Sequence, residues 1–110
     1  MRRIFAFAMA VSMCLSACGT PPPRLAEGLR ANNRSAPDPA WDQRLRERFP
    51  VGSEESSMLK ELRKQRFKVS AVSAYYTSAD LVCSQTWTIA WHAENGRITD
   101  ISGVHNGACL

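Results

Sequence analysis

Cys14, Cys18, Cys83 and Cys109, together with His92 and His105, are the residues of this 110-residue chain whose side chains could hold a metal, cross-link the chain or serve as a nucleophile and its base. A zinc site drawn from Cys83, Cys109, His105 and His92 needs ligand atoms converging to about 2.0–2.3 Å from one point. No CxxC or HxxxH spacing is present to bring two of them together on one local element. Catalytic signatures are absent as well: there is no GxSxG elbow, no Walker-type phosphate loop and no HExxH helix. Gly52-Ser53-Glu54 reads as a helix start rather than a nucleophile. Asp80, Glu94 and Asp100 fall at turns or strand ends, and nothing in their spacing pairs them as the carboxylates of a glycosidase. The residues predict no catalytic site, no metal and no cofactor. What remains is surface. Lys60, Arg63, Lys64, Arg66 and Lys68 form a basic run, with Arg44, Arg46 and Arg48 upstream of it.

The length allows one small domain and excludes a doubly wound nucleotide-binding fold or a TIM barrel, which need roughly twice the chain. The 22% charged fraction argues against wholesale disorder. At the start, Met1-Arg2-Arg3 precedes an uncharged apolar run from Ile4 to Leu15, the pattern of a secretory leader. That run is shorter than the roughly 20 residues a membrane span requires. It ends in Leu15-Ser16-Ala17-Cys18, which resembles the lipobox of bacterial lipoproteins. The resemblance implies cleavage after residue 17 and a triacylated, palmitate-type anchor on Cys18. Each buried methylene of such an anchor contributes about 0.8 kcal/mol to membrane attachment. Gly19, rather than Asp, after the cysteine implies sorting to the outer membrane. The chain is thus expected on the periplasmic face of the outer membrane of a Gram-negative bacterium, a compartment without nucleic acid. Loss of Arg2 and Arg3 with the leader halves the formal +4 charge, which weakens the case for a polyanionic partner.

Residues 18–36 contain Pro21-Pro22-Pro23 and Asn32-Asn33 with few apolar positions. They are expected to be a flexible tether spanning roughly 20–25 Å. The domain is expected over 37–110. Asp38 suits the cap of a helix whose first residue is Pro39, with Trp41, Leu45 and Phe49 on one apolar stripe and Pro50 as its stop. Ser53 is the expected cap of a second helix, with Met58, Leu59 and Leu62 as its buried face and basic residues toward its C-terminus. From Phe67 to Tyr76 the period becomes two, Thr77–Asp80 reads as a turn, and Leu81–Ala93 forms a second run with Trp87, Ile89 and Trp91 on one face. Asn95-Gly96 then favours a type I′ hairpin turn into a third strand, Ile98 to about Val104. The expected fold is α+β: two N-terminal helices packed on a three-stranded antiparallel meander.

A two-residue Asn95-Gly96 loop places Cys83 opposite Ala108. One extra residue in the third strand, a bulge at Gly103 or Gly107, brings Cys83 opposite Cys109. With Cys14 removed and Cys18 lipidated, these two are expected to form a disulfide in the oxidising periplasm. In this register His105 faces Thr86, roughly 20 Å along the strand from His92, so the two cannot share one ion. A lone histidine beside strand threonines is expected at the surface. Trp87 and Trp91 are core residues if the helices cover their face and contact residues if they do not. With Arg63, Lys64 and Arg66 they make up the candidate interaction surface.

From Phe49-Pro50-Val51-Gly52-Ser53 onward, a short helix followed by three strands resembles the small outer-membrane lipoproteins of the SmpA/OmlA (BamE) type, which belong to the barrel-assembly machinery. The resemblance is one of architecture over residues 38–110. It implies an envelope setting and assigns no binding residues. The expected function is a non-enzymatic outer-membrane lipoprotein serving as a structural or protein-interaction module. Its partners are the membrane, through Cys18, and an envelope protein. An inhibitor or immunity-type lipoprotein that blocks a secreted hydrolase is the alternative, and a protruding loop with an acidic or aromatic tip would favour it.

Overall fold

Period-two segments and two short amphipathic helices assemble into an α+β fold, seen here in a computed structural model that describes residues 19–29 and 35–110, with residues 35–37 as backbone alone. The leader, Cys18 and residues 30–34 of the expected tether lie outside the described residues. The elements are β1 (Ser35–Pro37), α1 (Pro39–Arg48), α2 (Glu55–Lys64), β2 (Lys68–Val69), β3 (Ser73–Ala79), β4 (Cys83–Glu94) and β5 (Arg97–Cys109), preceded by a 3-10 turn at Arg24–Ala26. The sheet has five strands in the order β1-β5-β4-β3-β2, all neighbours antiparallel, where three were expected. The helices do not lead the fold, because β1 precedes them and forms one edge of the sheet.

The additional strand within the meander has a local cause. The alternation from Phe67 to Tyr76 reads as one strand, but the chain reverses at Ser70. The Ser70 N–H donates to the Ser73 carbonyl at 2.8 Å, and Lys68 and Val69 then pair with Tyr75 and Ala74. A strand and a tight hairpin share the same period of two, so alternation does not separate them. The turn expected at Thr77–Asp80 moves accordingly, since β3 runs through Ala79 and the reversal follows Asp80.

Asp38 caps α1 as expected, its Oδ1 accepting from the Ala40 and Trp41 amides at 3.1 and 3.3 Å. The cap of α2 differs. Glu54, not Ser53, occupies that position without a side-chain cap bond, and the Ser53 hydroxyl donates to the Pro50 carbonyl. At its other end α2 closes with the Arg66 N–H on the Arg63 carbonyl and the Phe67 N–H on that of Leu62, a Schellman pattern. Arg66 takes φ +70 at the position usually given to glycine.

Trp41, Leu45 and Phe49 from α1 and Met58 and Leu62 from α2 share one buried core with Trp87, Ile89, Trp91, Ile98 and Ile101 from the sheet. Each tryptophan N–H finds an acceptor, as a buried indole requires. Trp41 donates to the Thr88 carbonyl at 3.0 Å, Trp87 to the Ser78 hydroxyl at 3.2 Å and Trp91 to Glu55 at 2.8 Å. Gly103 is what lets Trp41 reach β4 across β5. A Cβ there would stand 2.7 Å from the Trp41 ring and 2.5 Å from Leu45. Asp42 secures the same crossing by accepting from the Gly103 N–H at 2.9 Å while pairing with Arg46 at 2.8 Å. Burial works to raise the Asp42 pKa. The Arg46 hydrogen bond, the Gly103 N–H and the Arg46 charge together outweigh it and hold the carboxyl below its ordinary value.

The long hairpin turns at Asn95-Gly96, both at positive φ. Glu94 pairs with Arg97 and Ala93 with Ile98, but His92 pairs with Asp100, so the extra residue is Thr99 at the start of β5 rather than Gly103 or Gly107. From there the shifted register carries through to Cys83 opposite Cys109, and a disulfide joins them.

The tether expectation is corrected for residues 19–29. Thr20 forms a two-way backbone bridge with Ala79 at 2.7 and 2.9 Å, and the Pro21 carbonyl accepts from the Tyr76 hydroxyl. Leu25 and Ala26 are buried in the core. Gln65 accepts from the Leu25 amide at 2.7 Å, and Arg44 donates to the carbonyls of Leu25 and Glu27. Leu25 and Leu29, isolated apolar residues in the sequence, pack on the common core rather than on neighbours in the chain.

Candidate interaction face

Both helices and the 19–29 segment contribute to a single core on one side of the sheet, and the strands' alternate residues face away from it. Tyr75, Thr88 and Val104 lie side by side on β3, β4 and β5. Thr77, Thr86 and Asn106 form the next row and Ser73, Ala90 and Ser102 the one on the other side. Tyr75 is 46% and Val104 41% exposed, large values for an aromatic and a β-branched residue in the middle of a sheet. The rows around them are small and mostly hydroxyl-bearing, and Thr77 and Thr86 hydroxyls stand 3.4 Å apart. The result is an open strand face whose central row carries one charge, Lys68 opposite Tyr75, beside a tyrosine whose ring offers apolar area and whose hydroxyl can bond at a boundary.

Trp87 and Trp91, considered for this role, lie on the opposite side and are each 2% exposed, so neither can meet a partner. The helices cover their face, and both indoles are committed to bonds inside the fold. Arg63, Lys64 and Arg66 are exposed as expected of the C-terminal end of α2. The fold gathers Lys64 and Arg66 with Arg24, from the docked 19–29 segment, around a shallow hollow of about 210 Å³, and leaves Arg63 out of its lining. Glu61 and Tyr76 also line it, so the hollow is not purely cationic.

The histidines part company. His92 is exposed and opposite Asp100, as a strand-surface residue should be. His105 is fully buried, against the surface expectation. Its ring stacks on Trp87 at 3.6 Å, and Trp87 meets Trp41 edge-on at 5.3 Å. His105 Nδ1 lies 2.9 Å from Asp38 Oδ2 and Nε2 2.5 Å from the Gln85 side-chain oxygen. Two protonated nitrogens satisfy this arrangement directly; a neutral ring satisfies it with the Gln85 amide turned over. Either way Asp38 serves twice, capping α1 through one oxygen and gripping β5 through the other. A sequence signal for this was at hand: a histidine on the same alternation as Ile101 and Gly103 belongs to the inner face once the bulge at Thr99 is known.

His92 and His105 therefore face opposite sides of the sheet, and among the described residues no three His, Cys, Asp or Glu gather as metal ligands. The second hollow, about 430 Å³ between α1 and α2, is lined by Arg48, Phe49, Ser53, Glu54, Ser57, Met58 and Glu61. It holds no histidine or cysteine to pair with its carboxylates. Comparison with known protein families, with characterised proteins and with solved structures finds no match for this chain.

Proposed function

We propose that this chain is a non-enzymatic lipoprotein of the outer membrane, anchored through Cys18 on the periplasmic face, that binds an envelope protein through the open face of its sheet. The carrying observation is the Tyr75–Thr88–Val104 row across the three central strands, in which Tyr75 and Val104 are exposed while the other side of the sheet carries the core. Contiguous exposed apolar area, unlike singly scattered apolar residues, marks contact sites, and Tyr75 and Val104 flank one threonine on neighbouring strands. The lipobox-like Leu15-Ser16-Ala17-Cys18 supplies the envelope setting.

The inhibitor-type alternative draws less support. It calls for a projecting loop, and the Asn95-Gly96 tip is tied down instead. The Glu55 amide donates to the Gly96 carbonyl at 2.9 Å, and Arg97 donates to the Gly52 carbonyl.

Photo-crosslinking in intact cells tests the proposal, with a benzophenone amino acid in place of Tyr75 or Val104 and, as control, of Glu47 on the outer side of α1. A discrete protein adduct from positions 75 and 104 and none from 47 is expected. No adduct from the sheet face, with the protein present in the envelope, overturns it.

A further inference from the structure

The docked 19–29 segment begins at one end of the molecule, beside the last residues of β3. Gly19 lies against the end of β3, so close that a Cβ on it would collide with the Ala79 carbonyl and stand 2.9 Å from the Asp80 Cα. Cys18 is bonded to Gly19, and consecutive Cα atoms are about 3.8 Å apart. A lipid carried on the residue before Gly19 would thus be attached within one peptide unit of the β3–β4 turn. That turn carries two adjacent exposed apolar residues, Leu81 at 75% and Val82 at 57% exposure. Leu110, fully exposed, stands beside them, its amide donating to the Val82 carbonyl at 2.8 Å. Across these strands the Cys83–Cys109 disulfide ties the end together. Three of the large exposed apolar side chains of the described residues thus share the end at which Gly19 lies.

We propose that this tip, Leu81, Val82 and Leu110, lies in the lipid interface beside the anchor, so that the domain stands with its strands upright on the bilayer. The proposal rests on the lipid-anchor reading of Cys18 and adds an orientation to it. Exposed leucine and valine gain by leaving water, and an anchor one residue away holds them at the surface at no further cost in search. The one acidic side chain at the tip is Asp80, and its ionised carboxylate limits insertion to the polar interface. Asp80 Oδ1 is turned back onto the Val82 and Cys83 amides at 2.8 and 2.6 Å, bonds that hold its pKa below the ordinary value. At about 3.3 Å per residue, the twelve residues of β4 place the Asn95-Gly96 turn roughly 36–40 Å from the bilayer. The open face then stands perpendicular to the membrane, within reach of a neighbouring protein.

The test uses the full mature protein purified from membranes and placed in phosphatidylethanolamine–phosphatidylglycerol vesicles that contain a phospholipid with a diazirine near the acyl carbonyl. After illumination, mass spectrometry reads two things separately: the lipid mass on the Cys18 peptide, and the positions of cross-linked phospholipid located by fragmentation. Adducts at 81–82 and 110, none at 94–97, are expected. The Leu81→Ser/Val82→Ser protein should lose most of these adducts while keeping its Cys18 lipid and its disulfide. Lipidated Cys18 with adducts concentrated on the open face or the far turn, or with a yield unaltered in the double variant, overturns the orientation alone. An unmodified Cys18 overturns the anchor and the orientation with it.

Discussion

The two faces of the sheet are built by the same strands, from neighbouring residues, and have opposite characters. On β4, Trp87 is sealed between Trp41 and His105, while the next residue, Thr88, faces outward between Tyr75 and Val104. The histidines repeat the contrast, with His105 buried and hydrogen-bonded on both nitrogens and His92 exposed. Aromatic content alone does not mark a contact surface. The tryptophans are the core, and the tyrosine of the outer row is the aromatic side chain left exposed among the described residues.

Substitutions on adjacent residues sharpen this contrast most. Trp87→Ala removes a ring from the centre of the core and is expected to cost about 3–5 kcal/mol. Thr88→Ala, one residue on, is expected to change stability by no more than about 0.5 kcal/mol. Urea denaturation of the two variants reads the difference, and similar losses would break the two-faced description. A smaller effect is expected at the histidines. His105→Leu leaves the Asp38 carboxylate without its ring partner and is expected to cost about 1–3 kcal/mol, against about 0.5 or less for His92→Leu. Equal midpoints in thermal unfolding would show that the Asp38 link between the α1 cap and β5 contributes nothing.

The smallest effect is one of pH. Because folding lowers the Asp42 pKa, the unfolded chain binds that proton more readily. Its contribution is present above the ordinary value of 3.8 and is lost as pH falls through the lower folded value. Asp42→Asn should therefore be less stable than the parent at neutral pH, with the gap narrowing below about pH 4. Denaturation midpoints followed from neutral pH to about pH 2 check this. A gap that widens with acid would mean that Asp42 does not hold the Gly103 crossing as a carboxylate.

Much of the fold was legible because it depends on residues near one another in the chain. The Asp38-Pro39 start of α1, its Trp41–Leu45–Phe49 stripe and the Asn95-Gly96 turn are local patterns, and each is found where it was expected. The Cys83–Cys109 pairing follows from counting along that hairpin with one bulge, although the bulge falls at Thr99. The reversal at Ser70 is not legible, because a hairpin and a continuous strand alternate alike. Nor is the docking of residues 19–29, because a proline-rich, sparsely apolar stretch has the composition of a linker. The candidate face was half legible: the alternation of β4 separates threonines from tryptophans, but does not say which set is covered.

By itself, then, the sequence determined the two helices, the long hairpin at Asn95-Gly96 and, with one bulge, the pairing of Cys83 with Cys109, all consequences of short-range sterics and periodicity. Only the tertiary structure decided which side of the sheet the helices cover, that His105 belongs inside with Asp38 and Gln85, and that Leu25 and Ala26 are core. Those outcomes rest on contacts between residues 20–67 positions apart, such as Leu25 with Gln65 and Asp38 with His105. Period and composition carry no information about which distant apolar surface a face will meet, because that choice is made by packing the whole core at once.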